Sequence, residues 1–175
     1  MYSRREKLTV AMYFAGLPSS KIIRLWELFP HPDQLKSELS SVDKLLDCRQ
    51  VALCKKCFTD GYADKYTEKL QQDNILCVTY YSESYPETLR NIGEPPVVLF
   101  ARGNAKLLKS RCFSVVGTRK LSSYGKRVTM NFTSELARYF TIVSGLAYGA
   151  DSVAHSVTLD NDGKTIAVLG SGLNN

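Results

Sequence analysis

The sequence lacks the apolar run that a membrane-spanning helix needs. Among its 175 residues, no stretch approaches the roughly 20 consecutive apolar residues that such a helix requires. The apolar segment 8–17 is shorter, and no small-residue cleavage site follows it, so it predicts a core helix rather than a signal peptide. With 44% hydrophobic and 23% charged residues, the composition predicts a globular cytoplasmic protein that does not associate with a membrane.

Several motifs of nucleotide binding and catalysis are also absent. The sequence has no GxxxxGK[ST] loop, and Gly117 does not begin the GxGxxG spacing of a dinucleotide site. Gly170-Ser171-Gly172 forms a GxG, but the chain ends before a third glycine could be read. Ser144 does not stand in the GxSxG context of a hydrolase nucleophile. The sequence therefore predicts no bound cofactor.

Cysteine and histidine do not form the pattern of a metal site. The five cysteines include one CxxC pair, Cys54 and Cys57, but no second pair follows, and the two histidines lack ligand spacing. Residues three apart share one face of a helix, so the pair is interpreted as structural rather than as metal-binding or redox-active.

Residues 1–66 carry the periodicity of short helices. Leu8, Met12 and Ala15 recur at three- and four-residue spacings, and glycine and proline interrupt the pattern near residues 16–18 and 30–32. The segment therefore predicts a small all-helical domain. Helix, glycine turn and helix is the order found in helix-hairpin-helix DNA-binding modules, and a plain packing or partner-docking domain fits it equally well.

Residues 67–175 change to strands that alternate with helices. Apolar segments typical of strands occur at 75–81, 97–103, 113–117, 141–145 and 165–170. Between them the sequence predicts helices, one of which buries an apolar stripe of Val128, Phe132 and Leu136. This alternation predicts an α/β fold with a parallel, Rossmann-like sheet covered on both faces. Because the chain stops just after the fifth strand, we expect the domain to be incomplete at its C-terminus.

Three strand ends carry residues suited to binding phosphate. In open α/β sheets, ligands bind at the carboxyl ends of the strands, where glycine allows close backbone approach and helix N-termini offer free N–H donors. Arg119 and Lys120 add two cations there, and residues 111–140 hold six basic side chains against Glu135 alone. The pattern favours a phosphate-binding edge biased towards nucleic acid, although a solvated basic helix face would produce the same excess of charge.

Asp151 and His155 stand four residues apart on a predicted helix and therefore face the same way. A carboxylate–imidazole pair of this kind can serve catalysis. Because no serine or cysteine nucleophile stands in an elbow motif, we interpret the pair as a structural bond between the helix start and the sheet edge.

The order of several motifs resembles the DprA/Smf family (DNA-processing protein A). The segments that carry this resemblance are 114–120, Tyr124-Gly125, 142–147 with Gly149, Asp151 and Ala154-His155, and 165–173. The segment from Tyr85-Pro86 to Gly103-Asn104 is similar to the one that leads into the family's α/β domain. The resemblance covers residues 75–175 strongly, and the helical N-terminus fits the family's SAM-like or helix-hairpin-helix-like domain loosely.

The resemblance implies a single-stranded-DNA-binding protein that is not an enzyme. Such proteins protect incoming DNA and help to load the RecA recombinase during natural transformation and recombination. The DNA-binding residues that the resemblance and the strand ends together indicate are Gly117, Thr118, Arg119, Lys120, Ser144, Gly145, Tyr148, Gly149, Gly170 and Ser171.

Two departures from the family pattern carry expectations of their own. Tyr148 stands where the family usually has a basic residue, so we expect it either to stack on a base or to lower the affinity for DNA. The family forms homodimers through a C-terminal half that would lie beyond residue 175, so this chain is expected to be truncated and to lack that half.

A different class of function remains as the alternative. Nucleotide-binding or nucleotide-processing enzymes of the lysine-decarboxylase-like (LOG) group share this type of sheet. Those enzymes use a Gly-Gly-Gly phosphate loop with a neighbouring glutamate, and this sequence contains neither.

Overall fold

A computed structural model describes residues 2–42 and 44–174. The chain forms two compact units: unit 1 ends at Ala105 and unit 2 begins at Lys106. Throughout the described ranges, every helix is too short or too polar to cross a bilayer.

Unit 1 is built mainly from helices. Its elements are α1 (Arg4–Phe14), α2 (Ser19–Leu28), α3 (Pro32–Glu38), α4 (Cys48–Cys57), α5 (Tyr62–Gln72), β1 (Leu76–Thr79), α6 (Glu87–Arg90) and β2 (Val98–Ala101). Reciprocal capping boxes start α1, through Ser3 and Glu6, and α4, through Asp47 and Gln50. The helices surround a core in which Trp26 is the largest fully buried side chain.

The first two strands correct the prediction of a single five-stranded parallel sheet. β1 and β2 pair with each other in antiparallel register, Leu76 opposite Ala101. Cys77, Val97 and Val98 join the helical core, because two short strands bury their apolar face against the nearest apolar surface. Unit 1 therefore extends to Ala105, beyond the change of pattern near residue 66 at which the sequence places the domain boundary.

Unit 2 has the predicted α/β architecture. After a 3₁₀ helix at Ala105–Lys109, its elements are β3 (Cys112–Ser114), α7 (Ser123–Leu136), β4 (Thr141–Ser144), α8 (Ala150–Asp160) and β5 (Thr165–Ala167). The strands are parallel and stand in the order β3-β4-β5. This three-stranded parallel sheet with intervening helices confirms the predicted fold class.

In unit 2, α8 packs against β4 and β5, and α7 packs against α8. α7 connects β3 to its neighbour β4, and α8 connects β4 to its neighbour β5, so both connections step across the sheet in one direction. Right-handed crossovers then place both helices on the same side of the sheet. The three residues of β3 are exposed, as are Val116 and Val168 just beyond the strands. The expectation of a sheet covered on both faces therefore does not hold for the described part of unit 2.

Helix α7 corrects one position of the predicted apolar stripe, because Val128 and Leu136 are half-buried but Phe132 is exposed. Phe132 is 67% exposed, whereas its neighbour Thr133 is fully buried. α7 packs against α8, and Gly125, Thr129 and Thr133, spaced four apart, are buried or half-buried. Since such small side chains allow two helices to approach closely, the face that carries them packs inward and Phe132 faces solvent.

Candidate nucleic-acid interface

The carboxyl ends of the three parallel strands lie side by side in unit 2. The amide of Val115 donates to the carbonyl of Val143 at 2.9 Å, and the amide of Val168 donates to the carbonyl of Ser144 at 2.9 Å. The ladder thus continues one residue beyond β3 and β5. The predicted segments 117–120, 144–149 and 170–171 all follow from this one edge.

Ser144 belongs to the interior of the edge. Its side chain is buried, with 2% of the residue exposed, and its hydroxyl donates to the carbonyl of Val115 at 2.7 Å. The hydroxyl therefore joins β4 to the segment that follows β3.

Three of the predicted glycines are required by contacts within the protein. A Cβ added at Gly117 would lie 2.8 Å from the Cβ of Ala150, and one added at Gly145 would lie 2.9 Å from the carboxylate of Asp151. Gly149 has a φ of +86°, and a Cβ there would overlap the carbonyl oxygen of Thr118. The close approach expected of these glycines thus takes place between segments of the protein itself.

The remaining predicted residues form an exposed rim, and we use this term for Thr118, Arg119, Lys120, Tyr148, Gly170 and Ser171. Tyr148 is 86% exposed. None of the ion pairs formed among the described residues involves Arg119 or Lys120. Both cations are therefore available to an anionic ligand.

Hydrogen bonds hold the backbone on either side of Arg119. The amide of Lys120 donates to the hydroxyl of Thr118 at 3.1 Å. The carbonyl of Thr118 accepts from the amide of Ala150, the first residue of α8, at 3.1 Å. Arg119 consequently projects from a backbone that is anchored to the helix start.

The start of α8 does not offer the open set of N–H donors that was expected. The amide of Ala150 is bonded to Thr118, and the amide of Ser152 donates to the carbonyl of Ala147 at 3.0 Å. The buried carboxylate of Asp151 adds negative charge at the positive end of the helix. The two side-chain cations, rather than the end of α8, are therefore the groups at this edge with charge to offer an anion.

Asp151 fastens α8 to the loop that follows β4, whereas His155 fastens it to the first residue of β5. One oxygen of Asp151 accepts from the amides of Gly145, at 3.2 Å, and Ala147, at 3.4 Å. The Nδ1 of His155 lies 2.7 Å from the hydroxyl of Thr165. The geometry agrees with the structural interpretation, although the sequence did not indicate the loop amides as partners of Asp151.

The imidazole of His155 is held in one tautomer. The hydroxyl of Thr165 donates to the carbonyl of Ile142 at 2.9 Å, so its oxygen accepts the hydrogen bond that the Nδ1–H of His155 donates. Burial lowers the pKa of His155, and the nearby charge of Asp151 opposes that shift. The buried imidazole, with its Nδ1 bonded to Thr165, serves the packing of α8.

The CxxC pair lies in unit 1 and is enclosed. Burial raises the pKa of both Cys54 and Cys57 to about 12. The thiol of Cys57 also donates to the carbonyl of Leu53 at 3.3 Å. Over the described ranges, no group of three histidine, cysteine or acidic side chains is arranged to hold a metal ion.

Comparison with known proteins matches the part of the chain that contains this edge to a protein family. The family model described as DNA recombination-mediator protein A matches residues 76–175, which include all three strand ends. DNA processing protein DprA of Streptococcus pneumoniae is 35% identical over 162 residues, which cover 91% of this chain and 55% of that protein. DNA processing protein DprA of Bacillus subtilis is 32% identical over 169 residues, which cover 94% of this chain and 56% of that protein.

A solved structure supports the same assignment. The X-ray structure of DNA processing protein A from Streptococcus pneumoniae superimposes with a TM-score of 0.74 at 31% sequence identity, covering 100% of this chain and 60% of that chain. This chain thus spans a little more than half the length of these relatives. Since the family model covers more than half of the chain and the relatives exceed 30% identity over nine-tenths of it, the chain belongs to the DNA recombination-mediator protein A (DprA/Smf) family.

Proposed function

We propose that this chain binds single-stranded DNA, without catalysis, through the exposed rim of unit 2. The observation that carries the proposal is the pair of exposed cations, Arg119 and Lys120, on a backbone fixed at Thr118 and Ala150. Arginine binds a phosphate through two parallel hydrogen bonds, whereas lysine acts as a point charge. Tyr148, 86% exposed at the same edge, offers a face on which any base can stack.

The distribution of charge supports placing the DNA on unit 2. Residues 106–175 hold nine basic and four acidic side chains, while residues 1–105 hold fourteen basic and thirteen acidic ones. A positive surplus concentrated in one unit attracts the phosphate backbone at long range. Tyrosine and two cations without a base-reading arrangement favour binding that depends little on sequence.

Family membership supports the wider role. In this proposal the protein acts in the cytoplasm, protects incoming single strands and passes them to the RecA recombinase during natural transformation. Homodimerisation, which the resemblance assigns to a C-terminal half of the family fold, is proposed only for proteins that contain that half.

A titration of a fluorescein-labelled oligothymidylate, followed by anisotropy at several salt concentrations, tests the DNA site. We expect Arg119→Ala to weaken binding by roughly 10- to 100-fold, the range for losing a hydrogen bond to a charged group. The slope of log K against log salt should become shallower by about 0.7 for one lost phosphate contact on a single strand.

Arg138→Ala is the matched control. Arg138 is also an exposed arginine, paired with Glu135 at 3.4 Å, just beyond the C-terminal end of α7. Because α7 runs antiparallel to the strands, Arg138 lies at the amino ends of the strands, opposite the rim. The Arg138→Ala variant should bind DNA with the affinity of the parent protein. Equal affinity of Arg119→Ala and the parent would contradict the proposal, and equal weakening by both variants would show attraction to net charge alone.

A further inference from the structure

The loop between β4 and α8 contains a residue in an unfavourable backbone conformation. Leu146 has a φ of +56°, the left-handed region in which the Cβ of a non-glycine residue is crowded. Its side chain is also 55% exposed, so burial in the core does not compensate. An exposed leucine in a strained conformation has to be held there by its surroundings.

The carboxylate of Asp151 supplies part of that restraint, beside the bond from the amide of Ser152 to the carbonyl of Ala147. The amides of Gly145 and Ala147, one on each side of Leu146, both donate to the same oxygen, Oδ2. The two bonds are long, 3.2 and 3.4 Å, but a charged acceptor strengthens a hydrogen bond relative to a neutral one, and Asp151 is only 8% exposed. The absence of a side chain at Gly145 leaves room for the carboxylate, since a Cβ there would lie 2.9 Å from Oδ2.

The restrained loop directs two side chains outward beside the cations of the rim. Leu146 and Tyr148 are 55% and 86% exposed, and they flank Ala147. The next residue, Gly149, packs directly on the backbone of Thr118 and Arg119. The apolar tip of this loop therefore adjoins the segment that carries Arg119.

Strained residues that the surrounding structure holds in place concentrate at ligand sites. We propose that Asp151 is a positioning residue for DNA binding: its carboxylate holds Leu146 left-handed, so that Leu146 and Tyr148 form a ready-made apolar wall for a base. This inference rests on the proposed function. Ordering the loop before the ligand arrives removes an entropy loss from the binding step, and the base packs on the wall while Arg119 holds the adjoining phosphate.

The test is a double-variant cycle measured with labelled oligothymidylate. We expect Asp151→Ala to weaken binding by about 5- to 20-fold in the parent and by less than about 2-fold in Tyr148→Ala, because residues that act through one another are not additive. Asp151→Asn should bind within about 3-fold of the parent, because its single carbonyl oxygen can accept both amides.

Each outcome decides the inference. If Asp151 has only a structural role, Asp151→Ala should lower the affinity by the same factor in the parent and in Tyr148→Ala, and should lower the melting temperature; that result would overturn the inference. Parental affinity of Asp151→Ala would overturn it as well. If Asp151→Ala does not fold, Asp151→Glu takes its place in the cycle, because glutamate keeps the charge but moves the carboxylate oxygens away from the two amides. Arg119→Ala, measured in parallel, separates the two proposals: its failure to weaken binding refutes the DNA site itself.

Discussion

Replacement of Gly149 by alanine is expected to damage unit 2 more than any other glycine substitution at the edge. Gly149 has φ +86° and ψ −126°, a backbone conformation that residues with a Cβ rarely adopt. A Cβ there would overlap the carbonyl oxygen of Thr118 and lie 2.7 Å from the carbonyl carbon and oxygen of Arg119. Because those neighbours are backbone atoms, they cannot rotate away as the end of a long side chain could.

The structure permits an estimate of the loss. The unfavourable backbone conformation contributes about 1–3 kcal/mol. Displacing the segment also breaks the bond from the amide of Ala150 to the carbonyl of Thr118, which adds roughly 1 kcal/mol. We therefore expect the free energy of unfolding of unit 2 to fall by about 2–4 kcal/mol, a large part of the roughly 5–15 kcal/mol typical of a domain.

Hydrogen exchange followed by mass spectrometry is the appropriate assay. The only tryptophan, Trp26, lies in unit 1, so its fluorescence does not report directly on unit 2. Peptides that cover 141–160 should exchange faster in Gly149→Ala. Gly170→Ala is the control, because among the described residues, apart from Gly170 and its chain neighbours, no atom lies within 4 Å of the Cβ position there. Equal protection in the two variants would refute the packing argument.

Two further predictions concern buried titratable groups. Because burial lowers the pKa of His155 below its ordinary 6.5, its neutral form stabilises the fold above that pH, and this stability is lost as the pH falls from 6.5 through the lower pKa of the folded state. His155→Gln should remove this part of the pH dependence of urea unfolding, and an unchanged pH profile in His155→Gln would contradict the assignment. Thiol titration with Ellman's reagent at pH 8 should label Cys48 and Cys112, which are exposed, long before Cys54 and Cys57, whose pKa is about 12. Equal labelling rates in the native protein would show that the CxxC pair is accessible.

The parallel sheet of unit 2 was predictable because its signals are local. Short apolar runs, each followed by glycine or a small residue, marked strand ends such as Val116-Gly117 and Ser144-Gly145, and the helices between them set the parallel direction. β1 and β2 carry the same local signal. Their antiparallel pairing and their place in the helical core depend on partners distant in sequence, which periodicity does not reveal.

Helix α7 shows the same limit at the level of one side chain. Apolar periodicity selected Phe132 for the interior, but the partner helix packs on a face of small residues, with Thr133 buried there. Which face of an amphipathic helix turns inward depends on the shape of the surface that it meets, and small side chains allow the closest approach.

For the candidate site, the sequence by itself determined the chemistry: two cations, an aromatic ring and small residues at three strand ends, in an order that resembles one family. Only the tertiary structure decided which of these residues pack within the protein and which remain exposed. Ser144, Gly145 and Gly149 pack against other segments of the protein. Arg119, Lys120 and Tyr148 lie on the exposed rim. Asp151 accepts hydrogen bonds from two loop amides. The reason is physical: Ser144 meets Val115 across 29 residues of chain, and only sheet register and loop packing bring such partners together.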